Sequence, residues 1–319
     1  MIIKSLSKNL IFKDIKIKKI ITTLEQLSRV KSNLFFMGEG GTGKRTLALL
    51  YHNLIWKEND ESFYHINSGN IDKEIGYSIL FGHVKGAFTG AVEDKKGILD
   101  SAKTIYLSSV ELLPPNLQSP LLNLLETGEY IPLGSEKKSI FRGAIIISTT
   151  IKDFSKLKNS ISESLFYYLN SKLILIPPLR ERKDEIIPLA NLKLKELNKR
   201  FNKRKRFSED FLSFLKQYEF KGNIRELFNM VEKSFIESKD NDLLKFSGEL
   251  NSFFSEEEFI KENVKNLLSF EELKKKYFLE IFRLTGGNRT KMSQILGITR
   301  KSVYNHLKKY GLLKENGKN

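Results

Sequence analysis

Between Asp14 and Val30, apolar residues fall at Ile17, Ile20, Leu24 and Leu27, the spacing of a helix that buries one face. The pattern then changes. The stretch NLFFMGEGGTGKRTLALLYHNLIW sets a short apolar strand before a glycine turn and a helix with Leu47, Leu50 and Leu54 on its buried side. Further strands are predicted at SFYHIN, TIYLS, RGAIIISTT and KLILI, with helical stretches between them, notably LPPNLQSPLLNLLETGEY. Strands alternating with helices predict an α/β fold, a parallel sheet with helices on both faces. After PPLRERKDE, helical periodicity takes over from Ile186 to Ser238. The stretch SKDNDLLKFSGELNSFFSEEEF is polar and poorly periodic and reads as a linker. Three more helices are expected past Leu267. The expected domains are an α/β domain at 1–176, a helical lid at 177–240, a linker at 241–266 and an all-α domain at 267–319.

Composition narrows the chemistry. The 319 residues carry 54 Lys and Arg against 38 Asp and Glu, a formal net charge of +16, which favours a polyanionic partner. There is no cysteine, so disulfides, thiolate metal sites and cysteine catalysis are excluded. The four histidines, His52, His65, His83 and His306, lack metal-ligand spacing. No apolar run reaches the ~18 residues of a membrane span and the N-terminus has no signal-peptide pattern, so a soluble, cytoplasmic protein is expected.

Between the first strand and its helix lies GEGGTGK, with four glycines in seven residues: Gly38, Gly40, Gly41 and Gly43. Such a loop wraps a phosphate chain with its N–H groups, and Lys44 adds a point charge to the β- and γ-phosphates. Gly38, Glu39, Gly40, Gly41, Thr42, Gly43, Lys44, Arg45 and Thr46 are therefore the expected nucleotide-binding run, for ATP or ADP. Arg45 stands where a phosphate loop usually places the Ser or Thr that contacts magnesium, and Thr46 comes one place late.

The stretch LFGHVKGAFTGA, Leu80 to Ala91, contains GAFTGA, which resembles the signature loop of the sigma-54-dependent enhancer-binding proteins, transcription activators built on an AAA+ ATPase. GEGGTGK resembles their phosphate loop, LPPNLQSPLLNLLETGEY the helix after their acidic strand, and PPLRER and KGNIRELFN their lid motifs, in the same order. The likeness spans about residues 10 to 313, with the layout of short members in which no receiver domain precedes the ATPase. It implies an AAA+ three-layer sandwich with a helical lid and a Fis-type helix-turn-helix. It implies that Gly86, Ala87, Phe88, Thr89, Gly90 and Ala91 form the loop that touches sigma-54 RNA polymerase. It implies that Asn67 is the switch that restrains a catalytic glutamate, and that Arg225 senses the γ-phosphate; the alternative for Arg225 is a surface ion pair with Glu226 or a neighbour.

The same resemblance exposes departures. Ser108 and Ser109 stand where the family has its magnesium-binding aspartate and water-activating glutamate, and a serine hydroxyl is neither a general base near neutral pH nor a charged ligand. Ser162 and Tyr168 occupy the positions of two arginines that reach a neighbouring subunit's site, and Thr150 that of a sensing asparagine. The expectation is a nucleotide-binding pseudo-ATPase with weakened magnesium binding. Glu111, two residues past Ser109, and Asp100, before the strand, are the carboxylates from which a relocated acid could come. The alternative is a working motor that remodels the sigma-54 polymerase complex.

GGNRTKMSQILGITRKSVYNHLKKYGL has the grammar of a helix-turn-helix. Asn288 is expected to cap one helix, with Met292, Ile295 and Leu296 inward and Gly297 ending it. Thr299 caps the next, with Val303, Leu307 and Tyr310 inward. Lys301, Ser302 and Asn305 are placed for base edges, and Arg300, Lys308 and Lys309 for phosphates, with Thr299 at the helix start. The helix before them has an apolar face at Leu273, Tyr277, Ile281 and Leu284 and by resemblance makes a dimer, suiting a palindromic enhancer. Self-association as dimer or ring, or as a mixed ring with an active relative, is expected. A second basic run, Asn198 to Phe207, reads as a solvated helix end, with DNA contact as the alternative.

Overall fold

The computed structural model describes residues 14–57, 60–73, 75–238, 241–244, 270–296 and 298–310. They fall into two compact units divided between Phe246 and Ser247. In the first, the elements of the sheet domain run α1 (Ile15–Ser28), β1 (Leu34–Met37), α2 (Lys44–Trp56), β2 (Phe63–Asn67), α3 (Gly76–Phe81), β3 (Thr104–Ser108), α4 (Pro115–Thr127), β4 (Ala144–Thr149), α5 (Phe154–Ser160), α6 (Glu163–Asn170) and β5 (Leu173–Leu175). The five strands form one parallel sheet in the order β2-β3-β4-β1-β5.

Strand alternation divides the core into two layers. On one face Leu34, Phe36, Tyr106 and Ile146 pack on Ile17, Leu24, Leu47 and Tyr51 of α1 and α2. On the other, Phe35, Ile105, Leu107, Ile145 and Ile147 pack on Leu117, Leu121 and Leu124 of α4 and on Leu157 and Leu165 of α5 and α6. All six residues of β4 are buried, as a central parallel strand requires. Register places Met37 beside Thr149, Ile147 beside Leu107, and Asn67 beside Ser108. The carboxyl ends of β1 to β4 thus line one edge, where open α/β sheets present their ligand sites.

The lid continues the same unit with α7 (Ile186–Phe201), α8 (Glu209–Gln217) and α9 (Asn223–Glu237). Two departures from the sequence reading lie here. Leu243–Leu244, assigned to the linker, pairs in parallel with Arg206–Phe207, so the lid runs through Leu244. The basic run is not a solvated helix end throughout: Lys205 is 4% exposed, and its ammonium donates to Phe235 O at 3.1 Å and Ser238 Oγ at 2.6 Å, satisfying carbonyl and hydroxyl at the end of α9.

The second unit has α10 (Phe270–Leu284), α11 (Arg289–Leu296) and α12 (Arg300–Lys309). Phe278, Ile281, Met292, Val303 and Leu307 form its core. Ile295 and Tyr277, expected inward, are 53% and 56% exposed. Phe278 takes the inward place, stacking on His306 at 4.9 Å, and on α11 the core closes on Met292 and leaves Ile295 outside. Leu273, Leu284 and Gly297 lie outside the side chains or residues described.

Candidate functional site

The phosphate loop leaves β1 at Gly38 and enters α2 at Lys44. Gly41 and Gly43 have φ of 75° and 97°, a conformation that disfavours a Cβ. At Gly41 a Cβ would also sit 2.4 Å from Gly222 O of the lid. Lys44 is nearly buried, and its Nζ donates to Gly38 O at 2.6 Å and Glu39 O at 2.8 Å. Burial lowers its pKa to about 8; nearby Glu111 works against the shift and Arg225 adds to it. Thr42 donates to Glu39 O at 2.8 Å. Arg45 and Thr46 are exposed on the first turn of α2.

A role that sequence reasoning missed belongs to Glu39. Its carboxylate accepts from Arg180 Nη1 at 2.8 Å and Nη2 at 2.5 Å, from Asn223 Nδ2 at 2.9 Å, and from Lys152 Nζ. The Arg180 guanidinium, with Lys152 and Asn223, holds its pKa far below the usual carboxylate range despite burial. Asn223 also donates to Gly40 O at 3.0 Å and accepts from Leu179 N at 2.7 Å. Arg182 donates to Thr42 O at 2.6 Å and pairs with Glu185 at 3.0 Å, the two 2% and 1% exposed; burial raises the Glu185 pKa. Ile224 N donates to Gly41 O at 3.0 Å. The loop is thereby clasped to the lid through the PPLRER and GNIREL segments. Arg225, on the same turn, is exposed and near enough to Lys44 to act on its charge. Glu226 bonds Gly222 N and Tyr218 Oη, both at 2.7 Å, so its carboxylate is committed away from Arg225.

At the strand tips, Ser108 Oγ lies 2.9 Å from His65 Nε2. Ser109 has φ of 59° and ψ of 53°, a left-handed turn uncommon outside glycine, asparagine and aspartate. Asn67 Oδ1 accepts from Gly69 N at 3.0 Å, fixing the turn that leaves β2. Glu111 comes back to the sheet edge: its Oε1 accepts from Thr150 Oγ1 at 3.1 Å and Thr150 N at 3.4 Å, while Oε2 is buried without a hydrogen-bond partner. Asp100 is used elsewhere, accepting from Gly97 N at 2.8 Å and Tyr130 Oη at 2.9 Å. Ser162 precedes α6 and its N donates to Gln118 Oε1 at 2.6 Å. Tyr168 Oη donates to Leu125 O at 2.7 Å within its own domain.

A magnesium ion held in the usual phosphate-loop manner would need a hydroxyl after the lysine and a carboxylate at the end of β3. The residues here do not fit it. The first position carries the Arg45 cation, and the second is a neutral hydroxyl engaged with His65. Among the described residues no cluster of three His, Asp or Glu side chains could hold a metal.

The GAFTGA loop is a compact turn. Gly86 N donates to Ala91 O at 2.9 Å and Ala91 N to Phe88 O at 3.0 Å, with φ of 81° at Gly86 and 103° at Gly90. Its stem is fixed where His83 exchanges backbone bonds with Lys95 and Val84 N donates to Leu133 O. Phe88 is 41% exposed and meets the edge of His83 at 5.0 Å. Ala87 is partly covered and Ala91 buried, while Thr89 and Gly90 face solvent.

In the second unit Asn288 Oδ1 accepts from Thr290 N and Lys291 N, both at 3.1 Å, and Thr299 Oγ1 from Ser302 N at 3.2 Å. Both are N-caps. Val303 and Leu307 are buried while Arg300, Lys301, Asn305, Lys308 and Lys309 are exposed and Ser302 is partly so. Arg289 lies over the Tyr304 ring at 5.2 Å.

Residues 10–174 match the family profile of the sigma-54 interaction domain, residues 180–262 that of the AAA+ ATPase lid domain, and residues 269–310 that of bacterial regulatory proteins of the Fis family. The chain is 31% identical over 296 residues to the response regulator protein PilR of Pseudomonas aeruginosa, covering 90% of this chain and 66% of PilR. It is 32% identical over 305 residues to the alginate biosynthesis transcriptional regulatory protein AlgB of the same organism, covering 92% of this chain and 65% of AlgB. It therefore spans slightly less than two thirds of either relative. In fold it is similar to NtrX from Brucella abortus in complex with ATP, with a TM-score of 0.66, 23% identity, and coverage of 95% of this chain and 69% of that one. No described helix is long and apolar enough to cross a membrane.

The clasp has a measurable strength. Glu39→Gln removes a charge shared by Arg180, Lys152 and Asn223, and is expected to cost about 1–2 kcal/mol, the lower part of the range for charged hydrogen bonds because Arg180 is 33% exposed. Amide exchange at Ile224 should accelerate by the corresponding factor while amides of β4 stay protected; equal change at both would mean global destabilisation instead.

Proposed function

The chain belongs to the family of sigma-54-dependent transcription regulators, and from that membership we propose that it binds DNA, holds ATP with residues 38–46 and Arg225, and hydrolyses it slowly or not at all. The observation that carries this reading is the contrast between loop and strand tip. The loop keeps its glycines, Lys44 and a lid arginine, and α2 begins at it with its N–H groups available to phosphate. The tip offers Ser108 on His65 and Ser109 in a left-handed turn. NtrX, of similar fold, has been crystallised with ATP, which supports nucleotide occupancy of such a cleft. Because Tyr168 is spent on Leu125 O and Ser162 carries no charge, this chain gives no arginine from those positions to a neighbour. That favours a mixed ring in which an active relative supplies turnover while the GAFTGA loop here, with Phe88 exposed, meets sigma-54 polymerase. The α12 face is proposed to read a palindromic DNA site as a dimer.

A second reading has one observation in its favour. Glu111 reaches Thr150 at the sheet edge and lies near Lys44, with one buried carboxylate oxygen unpaired. A water-activating base needs such a position, and a slow working motor would use it.

Steady-state ATP hydrolysis by the full chain, at concentrations that allow ring assembly, separates the two. Turnover no greater than that of Lys44→Ala is expected. Turnover above that background, removed by Glu111→Gln, would establish the motor reading.

Burial leaves Lys44 titrating at about 8 in the free protein, and bound phosphate favours its protonated form. Binding therefore takes up a proton above that pH, so ATP affinity should fall as pH rises past about 8. Lys44→Arg, which stays charged, should show no such fall when affinity is followed by a fluorescent analogue.

On DNA, Asn305→Ala should cost about 1–3 kcal/mol at the specific site and little elsewhere. Lys308→Ala should weaken all sequences and reduce the salt slope by about one. Uniform loss from both would move Asn305 from base reading to backbone contact.

A further inference from the structure

Where α7 ends, the lid exposes Lys195, Lys199, Arg200, Lys203, Arg204 and Arg206. The only acid between residues 195 and 206 is Glu196, and it is shared with Lys193 at 3.7 Å. Like charges gathered this closely repel one another unless an anion answers them.

The backbone that carries them is fixed. α7 stops at Asn202, in the left-handed region with φ of 49°. Asn198 closes the loop that follows: its backbone carbonyl accepts from Lys203 N at 3.0 Å, its Oδ1 accepts from Lys205 N at 2.9 Å, and its Nδ2 donates to Lys205 O at 2.9 Å. Arg206 N donates to Asp242 O at 2.7 Å and Ser208 N to Leu244 O at 2.9 Å. Lys205 turns inward, bonded at the end of α9 and 4.8 Å from the centre of the Phe235 ring. Arg204 and Arg206, on either side of it, point outward as extended backbone requires. Arg200 is held as well: it lies over the Phe201 ring at 5.4 Å, and Phe201 meets Phe235 at 5.5 Å. Arg200, Arg204 and Arg206 form no ion pair among the described residues.

Guanidinium forks suit phosphate oxygens, and several on one rigid corner call for phosphates in series, which a polynucleotide backbone supplies. A base-stacking platform for single strands needs an open aromatic face. Phe201, the exposed aromatic here, is taken up by Arg200 and Phe235, so the corner fits a paired duplex. A chain with a helix-turn-helix unit meets that ligand in any case.

We propose that this corner of the lid is a second DNA-binding surface, which grips the phosphate backbone of duplex DNA without regard to sequence. It lies in the other unit from α12 and uses different residues, so it goes beyond the reading by α12.

Fluorescence anisotropy of the full chain on an arbitrary duplex, across a salt series, tests this. Arg200→Ala, Arg204→Ala and Arg206→Ala together should lower the slope of log affinity against log salt by about 2–3 and weaken binding about tenfold at ~0.1 M salt. Lys18→Ala, Lys19→Ala and Arg29→Ala together remove the same charge from other exposed positions and should leave the slope nearly unchanged. Changing the three lid arginines to lysine should keep most of it. Equal losses from the lid and α1 variants would mean diffuse attraction and overturn the proposal. So would an unaltered slope in the lid variant; α12, read separately by Lys308→Ala, would then stand alone. Tighter binding to a single strand of the same length, lost in the lid variant, would give the surface to unpaired nucleic acid instead. Because the chain has no cysteine, a photocrosslinker on Lys195→Cys tests the placement with all three arginines present. It should mark the duplex where the same label on Lys18→Cys does not, and no mark from Lys195→Cys would overturn the assignment even where the triple variant fails to fold.

Discussion

The carboxylate of Glu39 is the point at which phosphate loop, sheet and lid meet. It sits inside the phosphate loop, yet its partners are Arg180 and Asn223 of the lid segments and Lys152 from the end of the sheet. A carboxylate gathered by two cations and an amide is stabilised in its charged form, and each partner is fixed in turn. Asn223 also ties Leu179 N and Gly40 O, and Arg182 reaches Thr42 O from the next turn. The loop's shape is therefore set from outside as well as by its glycines. With its carbonyls held, Gly38 and Glu39 offer Lys44 two acceptors, and Arg225 is delivered to the same cleft by the turn that carries Asn223.

How much of this was legible in the sequence depends on the range of each interaction. The alternation of Leu34 to Met37 and the helical spacing of α1, α2 and α4 are local, and all five strands fall where the pattern puts them. The loop, the GAFTGA turn and the two N-caps are also short-range signals. The clasp is not: Glu39 is separated from Arg180 by 141 residues and from Asn223 by 184. A glutamate within a glycine run reads as solvated until its partners are seen. The only hint was a density of charges in PPLRER. Lys205 illustrates the same limit, since nothing local distinguishes it from Lys203 except the carbonyl it meets across the lid. Ile295 and Tyr277 show the opposite failure. Both fit an apolar stripe on paper, yet the core closes on Phe278, Ile281, Met292, Val303 and Leu307 and leaves the two outside.

The fold also explains why the strand tip tolerates serine. Ile105, Tyr106 and Leu107 are buried on both faces of the sheet, and Ser108 is the first residue of β3 to meet the cleft. Stability resides in the buried three, chemistry in Ser108 and Ser109 beyond them. Two adjacent carboxylates there would repel each other and raise their own pKa values unless a cation answered them. Serines remove that demand, and Ser108 satisfies itself on His65, whose imidazole is held toward its neutral form by burial and then by Arg45.

Binding and hydrolysis consequently draw on different parts of the molecule. On the function proposed above, phosphate is held by groups built into the scaffold: loop amides, the start of α2, Lys44, and Arg225 on the turn that carries Asn223. Hydrolysis needs groups that must be added at the open edge, a base aligned with water and a charge arriving from a neighbour. The loop residues of the first set also carry the clasp, through the Glu39 carboxylate and the carbonyls of Gly40, Gly41 and Thr42, so changes there disturb the lid as well. The second can be lost with no change in packing, since Ser108, Ser109 and Ser162 leave the core untouched and Tyr168 is absorbed into it through Leu125 O. On the proposed function, occupancy alone can still set the lid, because Glu39, Gly40, Gly41 and Thr42 of the loop are themselves held by lid residues.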